Sequence, residues 1–411
     1  MTTSHPDVIV IGGGPSGSTA ATLLAQQGFS VHLFEREHFP RFHIGESLIP
    51  DTYFVLQRLN MLDKLRKSHF VKKFSVQFVN QHGKLSEPFY FDDHRPNDSS
   101  QTWQVLRSEF DQLLLDNARE HGVQVFEGVR VLEVLFEGPR AVGVRIQDEA
   151  GQERVEHAKV IVDASGQSSL ILDRLKLREW DPKMRKAALW TYWEGAKRDP
   201  GRDEGATLVL QVKDKLGWFW YIPQHDNIVS VGVVGSWEYL FRDRPGKDHE
   251  AIYAEEVARC PGLQPKLAGA KRVAPFRVAK EYSYRTKQAA GDGWVLVGDA
   301  YGFLDPLYSS GVLLALKSAQ LAADAVAEGL KKNDTSGAQL GNWAEDFNRG
   351  MSRMRRLVLE YYEGFSFGKF VRRYPHFKGH LTDLLMGNLF QDKLDEVWPA
   401  MDLMRAEMME D

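Results

Sequence analysis

The spacing of apolar residues changes along the chain, and each spacing predicts a different kind of element. Residues 8–11 are a short β-branched run, followed by three glycines and an Ala- and Leu-rich stretch with the periodicity of a helix. After Gly28 a second apolar run ends at Glu35. This order predicts a strand, a tight turn, a helix and a second strand at the beginning of the chain.

Apolar and polar residues alternate in two later regions. Between 123 and 163 the alternation is broken by the turn signals EGPR and DEAGQE, which predicts an antiparallel meander attached to a parallel sheet. Between 187 and 236 four strand-like runs follow one another, AALWTYWEGAKR, ATLVLQV, GWFWYIP and IVSVGVVGS. They predict a separate sheet whose face could cover a ligand.

The run GWFWYIP is unusually rich in aromatic rings. Alternation places Trp218 and Trp220 on one face and Phe219 and Tyr221 on the other, and Pro223 ends the run. This pattern by itself is typical of a strand that is buried on both faces.

The last third of the chain is mainly helical in its pattern. An apolar strand at 294–297 is followed by Gly298, Asp299, a loop and a long apolar helix. The polar segment 331–337 predicts a break, and 338–411 reads as further helices.

Composition restricts the class of protein. The 411 residues are 43% hydrophobic and 26% charged, which is enough for two or three domains with a large core. The net charge of -4 and the pI near 6.4 give no indication of a nucleic-acid or membrane-surface partner. The lone Cys260 excludes an internal disulfide, and the chain shows neither a secretory signal nor an apolar stretch of about 20 residues. We therefore expect a cytoplasmic protein without a membrane span.

The first glycine turn carries a dinucleotide-binding fingerprint. Gly12, Gly14 and Gly17 form G-x-G-x-x-G, which permits a tight turn and close backbone approach to a pyrophosphate at the start of a helix. Glu35 ends the second strand, where an acid accepts hydrogen bonds from an adenosine ribose. We assign Arg36 and Arg41, which follow this acid, to the same cofactor site. The fingerprint does not distinguish NAD from FAD, and its alternative is an ordinary glycine turn.

Three further segments resemble FAD-dependent monooxygenase-like enzymes. The Gly298-Asp299 pair resembles their late Gly-Asp motif, which implies that Asp299 hydrogen-bonds the ribityl chain of the flavin. Arg107, before an amphipathic helix, resembles an arginine that faces the cofactor, the alternative being a solvated arginine at a helix start. The segment VIVDASGQSS, with Asp163 and Gly166, resembles their middle strand and turn. These matches favour FAD over NAD.

Two motifs resemble signatures of the flavin-dependent halogenases in full, and a third does so in part. W-x-W-x-I-P is matched by Trp218, Trp220, Ile222 and Pro223, and F-x-x-P-x-x-S-x-G by Phe303, Pro306, Ser309 and Gly311. F-x-x-K-x-G-x-x-F is met by Phe70, Lys73 and Phe78, with Ser75 in place of the glycine. The segment FPRFHIGESLIP, 39–50, resembles the loop that these enzymes place beside the flavin.

The resemblance implies a mechanism and a set of site residues. Reduced FAD and oxygen give a C4a-hydroperoxide, which halide attacks to give hypohalous acid. The halide site is assigned to the backbone amides of Ser310 and Gly311 just before a helix. The catalytic residues implied are Lys73, Trp218, Trp220 and Ser309, and Gly311 is also assigned to the cofactor. Lys72 is the alternative to Lys73, but one residue earlier it points elsewhere whether the segment is extended or helical. The further alternative is that both are solvated surface lysines. No metal site is expected.

The predicted fold is α/β, with a Rossmann-like FAD-binding domain of the glutathione-reductase/p-hydroxybenzoate-hydroxylase type, an inserted antiparallel sheet domain and a C-terminal helical region. We predict a discontinuous FAD-binding domain at 1–72, 101–178 and 273–330, a substrate-side sheet domain at 73–100 and 179–272, and the helical region at 331–411.

The resemblance also indicates substrate and partners. Tyr308 stands where free-tryptophan halogenases carry a glutamate, which favours the branch acting on phenols and pyrroles, some of whose substrates are tethered to carrier proteins. Since no second G-x-G-x-x-G occurs, FAD is reduced either by a transiently bound nicotinamide or by a separate flavin reductase. An FAD-dependent monooxygenase, a geranylgeranyl-reductase-like enzyme and a non-catalytic flavin-binding protein remain as alternatives.

Overall fold

Two large sheets organise the chain. The computed structural model describes residues 5–280 and 283–410. Its strands are β1 (Val8–Ile11), β2 (Val31–Phe34), β3 (Val71–Lys73), β4 (Ser75–Val79), β5 (Phe89–Tyr90), β6 (Thr102–Gln104), β7 (Gln124–Phe126), β8 (Arg130–Glu137), β9 (Arg140–Gln147), β10 (Glu153–His157), β11 (Val160–Asp163), β12 (Glu179–Trp180), β13 (Lys186–Glu194), β14 (Thr207–Gln211), β15 (Gly217–Pro223), β16 (Ile228–Ser236), β17 (Lys271–Arg272), β18 (Arg277–Lys280), β19 (Tyr284–Arg285), β20 (Ala290–Gly291) and β21 (Trp294–Leu296).

The helices lie mainly at the two ends of the chain. They are α1 (Pro15–Gln26), α2 (Thr52–Arg58), α3 (Leu62–Arg66), α4 (Phe91–His94), α5 (Arg107–Glu120), α6 (Leu170–Arg174), α7 (His249–Ala258), α8 (Gln264–Leu267), α9 (Gly311–Lys332), α10 (Gly337–Leu340), α11 (Ala344–Tyr362), α12 (Phe367–Arg373), α13 (Lys378–Met386) and α14 (Val397–Glu410).

The first sheet is the predicted parallel one. Its strand order is β20-β21-β11-β1-β2-β7, and only the edge pair β20-β21 is antiparallel. All four residues of β1 are buried, because helices cover the faces of a parallel sheet. Helix α1 packs against both α5 and α9. The carboxyl ends of β1, β2 and β11 therefore meet beside the first turn of α1, where a ligand would bind.

The second sheet has eight strands, and it provides the wall opposite this edge. The order β17-β13-β16-β15-β14-β4-β5 is joined by β18, which pairs with β13. All seven residues of β15 are buried, as GWFWYIP predicts. Trp218 and Trp220 belong to the main core, whereas Phe219 and Tyr221 belong to a second core on the other face of the sheet.

The structure corrects three predicted boundaries. Strand β7 lies in the parallel sheet, so the meander of 123–163 is limited to β8, β9 and β10, with β11 again in the parallel sheet. Strand β18 falls in the stretch 273–330 that we assigned to the FAD-binding domain, yet it pairs with β13 of the second sheet. Helix α9 continues two residues into the predicted break of 331–337 and ends where Asn333 adopts a left-handed conformation.

Further helices follow α9, as predicted for 338–411, and they complete the main core. The buried rings of Phe347, Phe365 and Phe370 pack into the main core. Among the described residues, no helix is both long and apolar enough to cross a membrane.

Candidate active site

An elongated cavity of about 390 Å³ runs from the glycine turn to the second sheet. At one end it is lined by Gly12, Gly14 and Glu35. At the other end it is lined by Trp218 and Trp220. The segment 43–47 lies between the two ends, so the loop expected beside a flavin does line the cavity.

Glycine is required in the turn between β1 and α1 by close packing of the backbone. Gly12 has a φ of +98°, and a Cβ on it would stand 2.6 Å from the Ala164 carbonyl oxygen. A Cβ on Gly17 would stand 1.9 Å from the Gly12 carbonyl oxygen, which real atoms do not permit. The turn therefore brings backbone amides and the positive end of α1 to the cavity, where phosphates bind.

Glu35 is buried at the end of β2, and its carboxylate is already partly engaged. One oxygen accepts a hydrogen bond from the Gly13 amide at 2.7 Å and the other from the Glu37 amide at 2.9 Å. Each carboxylate oxygen has further acceptor capacity, so Glu35 can still hold ribose hydroxyls. Arg36 also lines this end, but its side chain is exposed and paired with Glu37.

A buried ion-pair cluster holds the middle of the cavity. Asp111 accepts hydrogen bonds from Arg107 at 2.7 and 2.9 Å and from Arg41 at 2.9 Å. Arg107 also donates to the carbonyl oxygen of Ile44 at 2.5 Å. Nearby arginines hold the pKa of Asp111 below its usual range, despite the opposing effect of burial. Arg107 is 4% exposed, so it is not a solvated arginine at a helix start; it fixes the loop that lines the cavity.

Asp299 and Asp163, from the two motifs that resemble FAD-dependent monooxygenase-like enzymes, occupy different positions. Asp299 lines the cavity after β21, and burial raises its pKa to about 6 although Arg107 acts in the opposite direction. Asp163 is fully buried and accepts hydrogen bonds from the backbone amides of Ser165 and Ile171. Asp163 therefore shapes the turn at Gly166, which lines the cavity.

The loop before α9 meets the cavity at the start of that helix. Ser309 and Gly311 line the cavity, whereas Ser310 is buried beside them and is 1% exposed. Ser309 has a φ of +56°, a left-handed conformation that turns the chain into α9. The first amides of a helix have no partner within it, so this position offers donors and a positive dipole end to an anion.

The wall of indoles comes from two strands, β13 and β15, which flank β16 in the second sheet. Trp190, Trp218 and Trp220 all line the cavity, and the Trp190 and Trp220 ring centroids are 6.0 Å apart. Gly232 on β16 lies opposite both Trp190 and Trp220. A Cβ on Gly232 would stand 2.2 Å from the Trp220 ring, so only glycine leaves this ring its present position.

The C-terminal helices hold one of these indoles from behind. The Trp218 indole donates to the Tyr362 hydroxyl at 3.1 Å, and that hydroxyl lies 3.1 Å from both carboxyl oxygens of Asp305. Asp305 lines the cavity, and burial raises its pKa to about 7. Helix α11 thus positions the wall through a hydrogen-bonded chain.

Lys73 is buried, whereas Lys72 is exposed, as alternation along β3 predicts. The Lys73 ammonium donates to the Ser47 hydroxyl at 2.8 Å and to the Leu48 carbonyl oxygen at 3.0 Å. Ser47 in turn lies 2.8 Å from the Thr207 hydroxyl, and both of these residues line the cavity. Burial lowers the pKa of Lys73 to about 7.

The departure at Ser75 is structurally ordinary. Ser75 begins β4 and is buried, with its hydroxyl accepting from Gln77 at 3.3 Å. Its φ is not among the positive values found in the described residues, so the position does not require glycine.

Glu46 is a cavity residue that no sequence motif indicated. This residue is 1% exposed, and one carboxyl oxygen accepts from the Tyr192 hydroxyl at 2.7 Å. Its other oxygen has no hydrogen-bond partner among the described residues, and burial raises its pKa. The only signal for Glu46 was its place in the segment FPRFHIGESLIP, because nothing in the sequence shows which side chain of a loop is buried.

These features fit a bound flavin dinucleotide. The glycine turn is closed to any side chain, Glu35 stands at one end, and the cavity continues past Asp299. One Glu46 oxygen and the Trp190 indole N-H, both belonging to residues of the cavity wall, form no hydrogen bond of normal geometry among the described residues and can serve a bound ring system. Fold and site together define an FAD-dependent oxidoreductase.

Comparisons with known proteins narrow this class. The tryptophan halogenase family model matches residues 92–365, and the FAD dependent oxidoreductase model matches residues 7–172. The chain therefore belongs to the flavin-dependent halogenase family. The predicted α/β fold, the FAD cofactor, the use of halide and FAD-dependent halogenation of an aromatic substrate are confirmed.

Two curated relatives and two solved structures illustrate the similarity. The chain is 34% identical to the 1H-pyrrole-2-carbonyl-(peptidyl-carrier protein) chlorinase of Pseudomonas fluorescens, over 96% of this chain and 92% of that one. It is 35% identical to the flavin-dependent halogenase armH1 of Armillaria mellea, over 88% of this chain and 72% of that one. The flavin-dependent brominase Bmp2 superposes with a TM-score of 0.87 at 30% identity, covering 99% of both chains. The myxobacterial chondrochloren halogenase CndH gives a TM-score of 0.78 at 38% identity, covering 86% of this chain and 81% of that one.

Proposed function

We propose that this halogenase acts on a pyrrole or phenol ring that is tethered to a carrier protein. The proposal rests on how much of each relative's length the chain matches. The chain matches the carrier-protein pyrrole chlorinase almost from end to end, whereas it covers only 61% of the tryptophan 2-halogenase of Chondromyces crocatus.

The position of Tyr308 supports a substrate without an amino-acid group. Tyr308 replaces the glutamate of the free-tryptophan enzymes, and it is 4% exposed. It packs near Phe78 and Tyr361, and its hydroxyl donates to the Leu357 carbonyl oxygen at 3.5 Å. The position is thus occupied by a packing residue that offers no charge to an ammonium group.

The chain's own residues hold the reactants in place. Bound FAD, once reduced, supplies the electrons that let oxygen convert halide into an electrophilic halogen. The amides of Ser310 and Gly311 at the start of α9 hold the halide, and Ser309 shapes this turn. Trp218 and Trp220 form a wall that keeps the organic substrate from the flavin.

Lys73 delivers the halogen to the substrate ring. With a pKa near 7, its side chain is present at neutral pH both as an ammonium, which donates a hydrogen bond to hypohalous acid, and as an amine, which can take up halogen. Its bond to Ser47, and the Ser47 contact with Thr207, connect it to the cavity wall.

Reduced FAD comes from a separate flavin reductase, and the enzyme works in the cytoplasm. A second G-x-G-x-x-G is absent from the sequence, which supports external reduction. The single cysteine, Cys260, is buried and unpaired, which is compatible with a reducing compartment.

The substrate is tested with three acceptors under one set of conditions. Pyrrole-2-carboxylate on a phosphopantetheinylated carrier protein, free pyrrole-2-carboxylate and a free phenol are each incubated with protein, FAD, NADH, a flavin reductase and chloride or bromide. We expect mass spectrometry to find that the tethered ring is halogenated at least tenfold faster than either free substrate. Equal halogenation of a free substrate would overturn tethering, and the reaction with reductase omitted tests its requirement.

The role of Lys73 is tested in the same assay. Lys73→Ala is expected to lower kcat by about 100-fold or more, in the range typical of a lost proton-transfer group, while FAD content is unchanged. Lys72→Ala, which alters the exposed neighbour, is expected to keep full activity. If both variants were equally active, Lys73 would have no role in the chemistry.

A further inference from the structure

Three metal-ligating side chains converge at a point that the halogenase chemistry does not use. They are His69, Glu109 and His225, and their ligand atoms all lie within 4.8 Å of one another. The His69 Nε2 is 2.8 Å from one Glu109 oxygen, and the His225 Nε2 is 3.5 Å from the other. Ligand atoms of a tetrahedral zinc ion lie about 3.3–3.6 Å apart, because each bond is about 2.0–2.2 Å long. The His225–Glu109 pair already has this separation, whereas the His69–Glu109 pair, now at hydrogen-bond distance, would open by about half an ångström.

The hydrogen bond made by His225 leaves two acceptors, its Nε2 and the Glu109 carboxylate, facing each other. Its Nδ1 lies 2.9 Å from the Asp226 carboxylate, which can only accept, so Nδ1 carries the proton. A neutral imidazole then presents the lone pair of Nε2 to the Glu109 carboxylate, another acceptor. The Nε2 atom is buried and has no hydrogen-bond partner among the described residues. A cation between the two groups would satisfy both.

The contact between His225 and Asp226 is itself a feature of metal sites. A histidine that binds a metal commonly donates its second ring N-H to a carboxylate, which fixes the tautomer and makes the ligating nitrogen more basic. His69 has a 65% exposed side chain, so an ion can reach the cluster from solvent. Two imidazoles and one carboxylate are a ligand set that both zinc and non-haem iron(II) use, and iron(II) stands low in the order of affinities for a given site, which favours zinc.

We propose that His69, Glu109 and His225 form a zinc site that fastens the second sheet to helix α5 and to the segment before β3. His225 lies in the turn between β15 and β16, directly after the tryptophan-bearing strand. Glu109 lies in the first turn of α5, two residues after Arg107, and His69 comes four residues before Lys73. A bound ion therefore ties together the three elements that carry the indole wall, the arginine beside the cofactor and the lysine. This site was not expected from the sequence, because its ligands come from three distant segments.

The test is a titration of the FAD-loaded full chain, without a polyhistidine tag, after removal of metal with EDTA. By isothermal titration calorimetry with zinc chloride, we expect one equivalent to bind, and zinc to raise the melting temperature. Glu109→Gln and His225→Gln are expected to weaken binding at least tenfold. Asp226→Asn, which keeps all three ligands, is expected to weaken it by about 10- to 100-fold. His82→Gln, an exposed histidine elsewhere, serves as the matched control and is expected to bind as wild type does.

The results of this titration distinguish a zinc site from a hydrogen-bonded cluster of His69, Glu109 and His225. Absence of saturable zinc binding by the wild type would overturn the proposal and leave a protonated His225 paired with Glu109. Binding that is unchanged in both ligand variants would also overturn it. If a variant fails to keep its FAD, its zinc affinity cannot be compared with that of the wild type. X-ray absorption of the zinc-loaded wild type then identifies the ligands of the ion. Only nitrogen and oxygen neighbours, at about 2.0–2.2 Å and including two imidazoles, agree with the site, and a sulfur neighbour would contradict it.

Discussion

At the scale of single residues, the burial of Lys73 is the feature with the clearest thermodynamic consequence. Burial lowers its pKa to about 7 from the usual 10.5, so between these pH values the unfolded chain binds a proton that the folded chain does not. The contribution of this residue to stability therefore rises with pH across that window, and its full cost is present below pH 7.

We expect Lys73→Met to remove this pH dependence. Relative to wild type, the variant should gain free energy of unfolding at pH 6, by up to a few kcal/mol, and lose this advantage by pH 10. Urea unfolding at several pH values measures the difference. Lys72→Met, at the exposed neighbour, should leave the slope unchanged, and a parallel offset at every pH for Lys73→Met would contradict the assigned pKa.

Two adjacent tyrosines offer a matched comparison of buried hydroxyls. Tyr362 links the Trp218 indole to Asp305, whereas the buried hydroxyl of Tyr361 forms no hydrogen bond of normal geometry among the described residues. Tyr362→Phe should cost about 1–3 kcal/mol, because it leaves a buried indole N-H and a carboxyl without their partner. Tyr361→Phe should be neutral or slightly stabilising. Chemical unfolding measures the free energy of unfolding of both variants. Equal decreases in the two would contradict the linking role of Tyr362.

Individual residues were predictable where a short pattern governs them. Alternation separated Lys73 from Lys72, and motif spacing brought Asp299, Ser309 and Trp218 to one cavity. Glu46 and Tyr362 were not identified as site residues. Their contacts join segments far apart in sequence, and no local periodicity reports which loop or helix will lie against another.

At the scale of elements, the turn between β1 and α1 is the least tolerant of change. Gly17→Ala would place a methyl group 1.9 Å from the Gly12 carbonyl oxygen, so the backbone must move where the phosphates bind. We expect this variant to lose most of its bound FAD, measured by flavin absorbance after gel filtration.

Gly28→Ala is the control for this turn. Gly28 has a φ of +89° but no atom within 4 Å of an added Cβ, so alanine costs about 1–2 kcal/mol of backbone strain alone. FAD content should remain that of wild type. Loss of FAD in Gly28→Ala as well would show that general destabilisation, and not the turn, accounts for the first result.

Element types were predicted better than element ends. Period-two alternation identified β13, β14, β15 and β16 because both cores of the second sheet require it. The placement of β18 was missed, since its four residues are half-buried or exposed and only pairing with β13 defines them. Pairing partners are a property of the fold and leave little trace in a short run.

At the scale of the whole molecule, the cavity lies between the two sheets, so a bound FAD would lie against both. The FAD-binding end belongs to the parallel sheet, and Trp190, Trp218 and Trp220 of the second sheet line the other end. FAD at 100 times its Kd should therefore add about 2.7 kcal/mol to the free energy of unfolding of the entire chain. Thermal unfolding followed by tryptophan fluorescence, with and without FAD, measures this gain. A chain whose second sheet melts at the same temperature in both conditions would contradict coupling through the cavity.

The position of one ring in the cavity wall depends on a residue that has no side chain. Gly232 leaves the space into which the Trp220 ring leans, and it does so from the neighbouring strand without lining the cavity itself. One methyl group there would force the Trp220 indole out of its present position in the cavity wall. The shape of the cavity wall can thus be altered at Gly232 without changing the identity of any residue that lines the cavity.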